Sequence, residues 1–321
     1  MKRDTDHKYV LLMAGPTASG KSSLAVKLAH ALNGVIINAD SMQVYDGLRV
    51  LSARPSVDEK EGIPHRLFGA VEAGSPFSTA DWHAMAMAEI ETAWAEGRFP
   101  ILVGGTGMYF KSLLDGLSPI PDVDGEVRAA VRAEMAERGP EVMHKELQIK
   151  DPAIAQRLEP GDSQRISRAL EVVRSTGKPL SEWQKTNEPG GLAQADAEGR
   201  VLKCVLNLPR EVLYERINTR FMHMVDEGAL DEVKALVAKG IDPTLPVMKA
   251  LGVPEFASYL AGECGLDAAI ETAQMQTRRY AKRQTTWFTN QFGDWHRVGA
   301  LDDSNAGDMI EWIKGQMNEG L

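Results

Sequence analysis

Eight residues near the start constrain this chain more than any others. Gly15-Pro16-Thr17-Ala18-Ser19-Gly20-Lys21-Ser22 matches G-x-x-x-x-G-K-[S/T] in full. An apolar run, Tyr9 to Ala14, precedes it and reads as a buried strand. Ser22 to Leu32 follows, with Leu24, Ala25, Leu28, Ala29 and Leu32 at helical spacing. Strand, glycine loop and helix in that order build a phosphate cradle. The glycines let backbone N–H groups converge on anionic oxygens, and the helix adds its positive end. Lys21 supplies a point charge, and the Ser22 hydroxyl can hold Mg²⁺. The pattern argues for a polyphosphate ligand. It does not specify nucleotide hydrolysis, because a diphosphate fits the same cradle.

The rest of the chain extends the α/β pattern. Val35 to Ala39 reads as a second buried strand, closed by Asp40. Ser78 precedes a helix over Thr79 to Glu96, with Asp81 as its capping partner. Ile101 to Val103 is a third strand, followed by Gly104-Gly105-Thr106-Gly107. The order predicts an α/β fold with a mostly parallel sheet. Near Pro119-Ile120-Pro121 the texture changes. From Asp124 to about Gly190 the chain is charged and mostly helical. Gly190 to Gly199 reads as a solvated loop, and Val201 to Leu208 returns to strand character. Pro209 to about Phe288 is helical again, with breaks near Gly240 to Pro246 and Gly262 to Gly265. The economical division is a core of residues 9–120 and 201–290, a helical insertion at 121–200, and a tail at 291–321.

Composition narrows the function classes. The 321 residues are 43% hydrophobic and 25% charged, enough for a sizeable core. The net charge of −9 argues against a wholly basic nucleic-acid surface but permits a local basic groove. Cys204 and Cys264 lie too far apart in sequence to suggest a disulfide framework, and two cysteines alone cannot complete a four-ligand zinc site. His7, His30, His65, His83, His144, His223 and His296 form no metal spacing. Met1 to Lys8 lacks the apolar run of a signal peptide, and no stretch reaches a membrane span. A cytoplasmic protein without a membrane partner is expected.

Several residues outside the loop carry chemistry. Asp40, at the carboxyl end of a parallel strand, would face the ligand crevice as a general base or an indirect Mg²⁺ holder. An Asx cap on the following turn is the plainer role. Thr106 can donate its hydroxyl to a phosphate or leaving-group oxygen, or merely sit in a tight turn. Gln164-Arg165-Ile166-Ser167-Arg168 places two arginines on one helical face, and Arg174 and Lys178 continue the positive character. Arg278, Arg279, Lys282 and Arg283, followed by Trp287 and Phe288, could meet a nucleic-acid backbone with aromatics ready to stack. A solvated helix with Trp287 in the core is the alternative. Arg220 has no acidic residue at helical spacing, so a local ion pair does not explain it.

Taken together, these segments resemble the bacterial tRNA dimethylallyltransferase family, the isopentenyl-diphosphate:tRNA transferases. The matching pieces are GPTASGKS at 15–22, INADSMQVYDGL at 37–48, LVGGTGMYFKSLLDGLSPIP at 102–121, QRISRALEV at 164–172, INTRF at 217–221, MKALGVPE at 248–255 and TRRYAKRQTTWF at 277–288. They stand in family order and span about 9 to 290. The resemblance implies transfer of a dimethylallyl group from its diphosphate to N6 of adenosine 37 in certain tRNAs. It implies a nucleotide-kinase-like core, an inserted helical part that grips the anticodon stem-loop, Mg²⁺, and a chain that acts as a monomer without an obligate protein partner. The phosphate loop would serve the prenyl diphosphate and not a nucleotide.

By residue, the resemblance puts the diphosphate on Gly15, Pro16, Thr17, Ala18, Ser19, Gly20, Lys21 and Ser22, with the metal at Ser22. The general base falls on Asp40, within a tRNA-contacting stretch that continues through Ser41, Met42 and Gln43. Thr106 and Arg220 join Lys21 as catalytic candidates. Tyr109 and Arg128 fall in channel and tRNA-contacting segments. Further tRNA contacts fall on Gln164, Arg165, Ile166, Ser167 and Arg168, and on Lys282, Arg283, Gln284 and Trp287. Two stretches depart from the family pattern. Gly252-Val253-Pro254 stands where many relatives carry Gly-Tyr-Lys or Gly-Tyr-Arg. Val50-Leu51-Ser52-Ala53-Arg54-Pro55 stands where relatives usually read Ile-Gly-Thr-Ala-Lys-Pro. A small-molecule kinase, a nucleic-acid-stimulated ATPase and a tRNA-binding protein with a vestigial loop are the competing classes.

Overall fold

The computed structural model describes residues 8–299 and 303–319. The reading of the first seven residues as lacking a leader, His7 and part of the expected tail lie outside them. The chain forms two compact units, one of residues 1–114 and 191–321, the other of 115–190.

The larger unit is built on six strands, all paired in parallel in the order β3-β2-β4-β1-β5-β6. β1 (Val10–Ala14) leads through the phosphate loop into α1 (Lys21–Leu32), then β2 (Gly34–Asn38), β3 (His65–Arg66) and α2 (Thr79–Ala95). β4 (Phe99–Gly104) and α3 (Gly107–Asp115) complete the first part. α2 starts at the expected cap: Ser78 accepts from the Asp81 N–H and Asp81 accepts from the Ser78 N–H. Pro100 is tolerated in a central strand because pairing with β1 begins only at Ile101.

The smaller unit is all helical: α4 (Gly125–Arg138), α5 (Pro140–Lys150), α6 (Pro152–Ala155), α7 (Ser163–Thr176) and α8 (Leu180–Trp183). Val131, Met143, Leu147, Ile166 and Leu170 form its buried centre. Buried Asp151 accepts from the N–H groups of Ile154 at 3.2 Å and Ser181 at 2.9 Å, tying two helix starts together.

The chain then re-enters the larger unit. The stretch expected to be a solvated loop contains α9 (Ala193–Ala197), anchored by fully buried Leu192. Alanine's high helix propensity outweighs the acidic, glycine-flanked texture here. β5 (Val201–Leu206), α10 (Arg210–Asp226), α11 (Ala229–Ala238), α12 (Val253–Leu260), the long α13 (Leu266–Gln291), β6 (His296–Val298) and α14 (Asp303–Glu319) follow. Residues of β1 alternate between two cores. Val10, Leu12 and Ala14 face one, and Leu11 and Met13 face the other. Both sheet faces are therefore covered, as a parallel sheet requires. Among the described residues no helix is long and apolar enough to cross a membrane.

Candidate active site

The carboxyl ends of the neighbouring parallel strands β2, β4 and β1 lie together at one end of the sheet. β1 delivers the phosphate loop. Ala18 takes φ 63° and Gly20 φ 88°, left-handed turns of the kind that gather backbone N–H groups around an anion. Ser19 is fully buried, and its N–H donates to the Pro16 carbonyl at 3.2 Å. Lys21 donates from Nζ to the Pro16 carbonyl at 3.2 Å. Burial lowers its ammonium to about 8; Asp40 opposes that shift and Arg220 adds to it. The Ser22 hydroxyl is exposed beside it.

β2 delivers Asp40. Its Oδ1 accepts from the N–H groups of Met42 at 2.9 Å and Gln43 at 3.4 Å. The plain role of turn cap is thus real, but it occupies one carboxylate oxygen, and Asp40 also lines a cavity. Buried Asn38 sets the turn. Its Oδ1 accepts from the Asp40 N–H at 2.9 Å, and its Nδ2 donates to the Asp40 and Leu67 carbonyls. Gln43 donates from Nε2 to the carbonyls of Ser52 and Ala53 at 2.9 and 3.0 Å.

β4 delivers the glycine run. The Thr106 hydroxyl accepts from the Ser41 N–H at 2.9 Å, so it holds the Asp40 loop in place. A methyl group at Gly105 would stand 2.2 Å from Gln284 Nε2, and one at Gly107 would stand 2.0 Å from the Trp287 ring. Close approach of α13, more than turn geometry, demands glycine at both.

Two helices close the site. From α10, Arg220 donates from Nη2 to the Thr17 hydroxyl at 2.5 Å. This is the partner that its own helix could not supply. Burial lowers Arg220's basicity and Asp40 counters that, while a guanidinium stays charged regardless. From α13, Tyr280 reaches the same space; burial, then Asp40, raises its phenol well above the ordinary range, so it stays a neutral donor. Two cavities border Arg220. One of about 800 Å³ borders Gly20, Lys21, Ser22, Arg216 and Arg220. The other, about 300 Å³, borders Thr17, Asp40, Met42, Phe221 and Tyr280, and Arg220 lines both.

Other sequence candidates fall elsewhere. Tyr109 is buried and stacks on Trp82 at 4.1 Å, so it is a core residue. Lys282 and Arg283 are exposed and, with Arg279, Thr286, Asn290 and Trp287, border a shallow groove along α13. Trp287 is half in the core, edge-on to Phe292 at 4.9 Å. Gln284, expected as an RNA contact, faces inward and is buried, and it borders a cavity of about 220 Å³ with Thr106 and Trp287. In the smaller unit, Gln164, Arg165 and Arg168 are exposed, Arg128 and Ser167 partly so. Ile166 is fully buried and cannot touch RNA; helical alternation points it inward. Arg174 is consumed by Glu134 and Glu146, both at 2.7 Å, and so does not extend a positive face. Lys178 lies over the Trp183 ring at 4.0 Å.

Sequence reasoning missed Glu232, whose carboxylate accepts from the N–H groups of Arg49, Val50 and Leu51 and shapes the loop beside the smaller cavity. It lies some 180 positions away, and nothing local marks it. That loop holds one departure from the family pattern, and it meets the other: a methyl at Gly252 would stand 2.8 Å from Leu51 Cδ2. Arg54 donates to the Tyr45 and Asp46 carbonyls at 3.1 and 3.3 Å, so here it is a structural cation.

Among the described residues no cluster of histidine, cysteine and carboxylate could cage a metal. The Ser22 hydroxyl beside the phosphate loop is a hard oxygen of the kind that suits Mg²⁺, which keeps several waters and binds through phosphate oxygens.

The chain matches the model of IPP transferase over residues 43–291. It is 49% identical over 300 residues to the tRNA dimethylallyltransferase of Agrobacterium fabrum, covering 93% of this chain and 99% of that one. The tRNA dimethylallyltransferase of Rhodospirillum centenum is 48% identical over 305 residues, 94% of this chain and 93% of the relative. Its fold is similar to the crystal structure of the full-length tRNA isopentenylpyrophosphate transferase of Bacillus halodurans, with TM-score 0.69, 34% identity and 98% of both chains covered. It is also similar to a eukaryotic dimethylallyltransferase acting on tRNA, with TM-score 0.79, 28% identity, and 97% of this chain and 79% of that one covered. The phosphate loop, the Asp40 turn and the arginine of α10 thus sit in a chain that belongs to the IPP transferase family.

Proposed function

We propose that the protein transfers the dimethylallyl group of dimethylallyl diphosphate to N6 of adenosine 37 in tRNAs reading codons that begin with U. The products are N6-dimethylallyladenosine and diphosphate. The observation that carries this reading is the pair of cavities that share Arg220, one against the phosphate loop and one against Asp40. A donor diphosphate in the first and an extruded base in the second would bring the allylic carbon and N6 together beside Asp40. A base in an anticodon loop is cheaper to extrude than one in a duplex.

The adenine amine is a weak nucleophile because its lone pair is delocalised into the ring. As the N6–C1 bond forms, the C1–O bond to diphosphate breaks, and the N6 proton passes to the Asp40 carboxylate. Lys21, Arg220 and the loop N–H groups stabilise the charge growing on the leaving diphosphate. Thr106 keeps the Asp40 turn in register through the Ser41 N–H. Mg²⁺, held by the Ser22 hydroxyl and phosphate oxygens, would neutralise part of the diphosphate charge when bound. Exposed Lys282 and Arg283 on α13, and Gln164, Arg165 and Arg168 on α7, suit contacts to the RNA backbone. Such a substrate carries a cytoplasmic setting with it.

The test is mass analysis of nucleosides from unmodified tRNA incubated with protein, Mg²⁺ and dimethylallyl diphosphate, with and without ATP. Gain of one C5H8 on adenosine 37 without ATP is the expected result. ATP consumption with no such gain would put a kinase or ATPase ahead.

A further inference from the structure

The inward stripe of α13 runs Thr277, Ala281, Gln284, Phe288, and all four are buried. Thr277 satisfies itself on its own helix, donating to the Ala273 carbonyl at 2.8 Å. Gln284 does not. Its Oε1 accepts the Thr17 N–H of the phosphate loop at 2.9 Å, and its Nε2 donates to the Gly105 carbonyl at 2.9 Å. One buried amide therefore bridges the ends of β1 and β4, two loops that no covalent link holds together. The same Thr17 accepts Arg220 Nη2 on its hydroxyl. Backbone and side chain of Thr17 are gripped from two different helices. The Thr17 N–H is also withdrawn from the set of loop amides that can face an anion.

We infer that Gln284 is a positioning residue for diphosphate departure: it fixes Thr17 and, through the Thr17 hydroxyl, aims Arg220 at the leaving group. This rests on the reading that the phosphate loop takes the donor's diphosphate. It differs from the role of RNA contact, since both ends of the amide are engaged within the protein. An oxygen and a nitrogen are both needed, because Thr17 offers a donor and Gly105 an acceptor. That requirement selects an amide over a carboxylate or a thioether of the same length.

The experiment compares wild type, Gln284→Met and Gln284→Glu. Inorganic diphosphate with Mg²⁺ is titrated by calorimetry, a fluorescent anticodon stem-loop by anisotropy, and turnover is followed across pH. For Gln284→Met, diphosphate affinity is expected to fall about tenfold and turnover about a hundredfold, the scale of a small misplacement at a reacting centre. Stem-loop affinity stays within twofold of wild type by the same reasoning, as no RNA contact is lost. Gln284→Glu supplies a signature that general loosening would not. Its ionised carboxylate accepts from Thr17 but repels the Gly105 carbonyl, whereas the protonated acid reproduces both bonds. The ratio of its turnover to wild type should therefore climb as pH falls, and the ratio for Gln284→Met should stay flat. If Gln284→Met does not fold, the pH ratio of Gln284→Glu decides. Wild-type diphosphate affinity and turnover in Gln284→Met, a loss confined to stem-loop affinity, or a flat ratio for Gln284→Glu would each overturn the inference. Absence of diphosphate binding by the wild type would remove the reading beneath it, and the inference with it.

Discussion

Asp40 and Lys21 illustrate what a residue's surroundings add to its type. Asp40 caps its own turn through Oδ1 and still borders the smaller cavity. Asp40→Asn keeps an oxygen for that cap but removes the base. Turnover should drop about 10²- to 10⁴-fold with stem-loop affinity unchanged, by single-turnover kinetics and anisotropy. Near-wild-type turnover would sink the assignment. Lys21 gives a pH prediction whose sign follows from its burial. The ammonium titrates at about 8 instead of 10.5, and an anion binds the charged form. Diphosphate affinity should hold below about 8 and fall about tenfold per pH unit above it, because binding must then recruit a proton. In the ligand-free protein the same shift acts the other way. The fold gains stability as pH rises from about 8 toward 10.5, where only the unfolded chain still holds that proton. Calorimetry and thermal melting across pH 7 to 10 separate the two.

At the scale of elements, the strong signals were local ones. The phosphate loop, the Ser78 cap and the apolar strands were legible because each is written in a few consecutive residues. β3 and β6 were not, since strands of two and three residues at the sheet edges carry almost no pattern. Gln284 is a different case. The family resemblance groups it with Lys282, Arg283 and Trp287 as RNA contacts, yet it sits on the stripe of Ala281 and Phe288. A polar residue on a buried stripe announces a partner without naming it, and that partner, Thr17, is 267 positions away. Arg174 shows the same blindness in α7. Its position looked like part of a basic face, but Glu134 on α4 and Glu146 on α5 claim it. The bond to Arg174 is the main reason that the Glu134 carboxyl is pulled down from 4.5 to about 2. A carboxylate with a depressed value contributes stability that is full above about 4.5 and is lost as pH falls toward 2. Glu134 and Arg174 are both partly solvated, so the contribution is modest. Arg174→Met should speed amide exchange in α4 and α7 at pH 7 by about tenfold, roughly 1.4 kcal/mol, and blunt the acid dependence of that exchange. Unchanged protection would mean that Val131, Leu147 and Leu170 alone hold these helices together.

For the whole molecule the question is how a chain of net charge −9 holds a polyanion. The answer lies in distance. At physiological salt the screening length is about 8 Å, so a phosphate placed on α13 would feel Arg279, Lys282 and Arg283 and little of the acidic remainder. At about 10 mM salt that length grows to about 30 Å, and the acidic remainder comes within reach. A uniformly basic RNA binder keeps tightening as salt is lowered, along one straight line of log affinity against log salt. This chain should follow such a line from about 300 to 100 mM and then flatten below about 20 mM, where repulsion offsets counterion release. Anisotropy with an anticodon stem-loop measures both regimes. Lys282→Gln should lower the slope of the steep part by roughly 0.7 to 0.9, the share of one neutralised phosphate, without moving the point of flattening. A straight line down to the lowest salt would mean that the basic groove sets the field alone. Loss of Lys282 with no change of slope would mean that α13 meets something other than the RNA backbone.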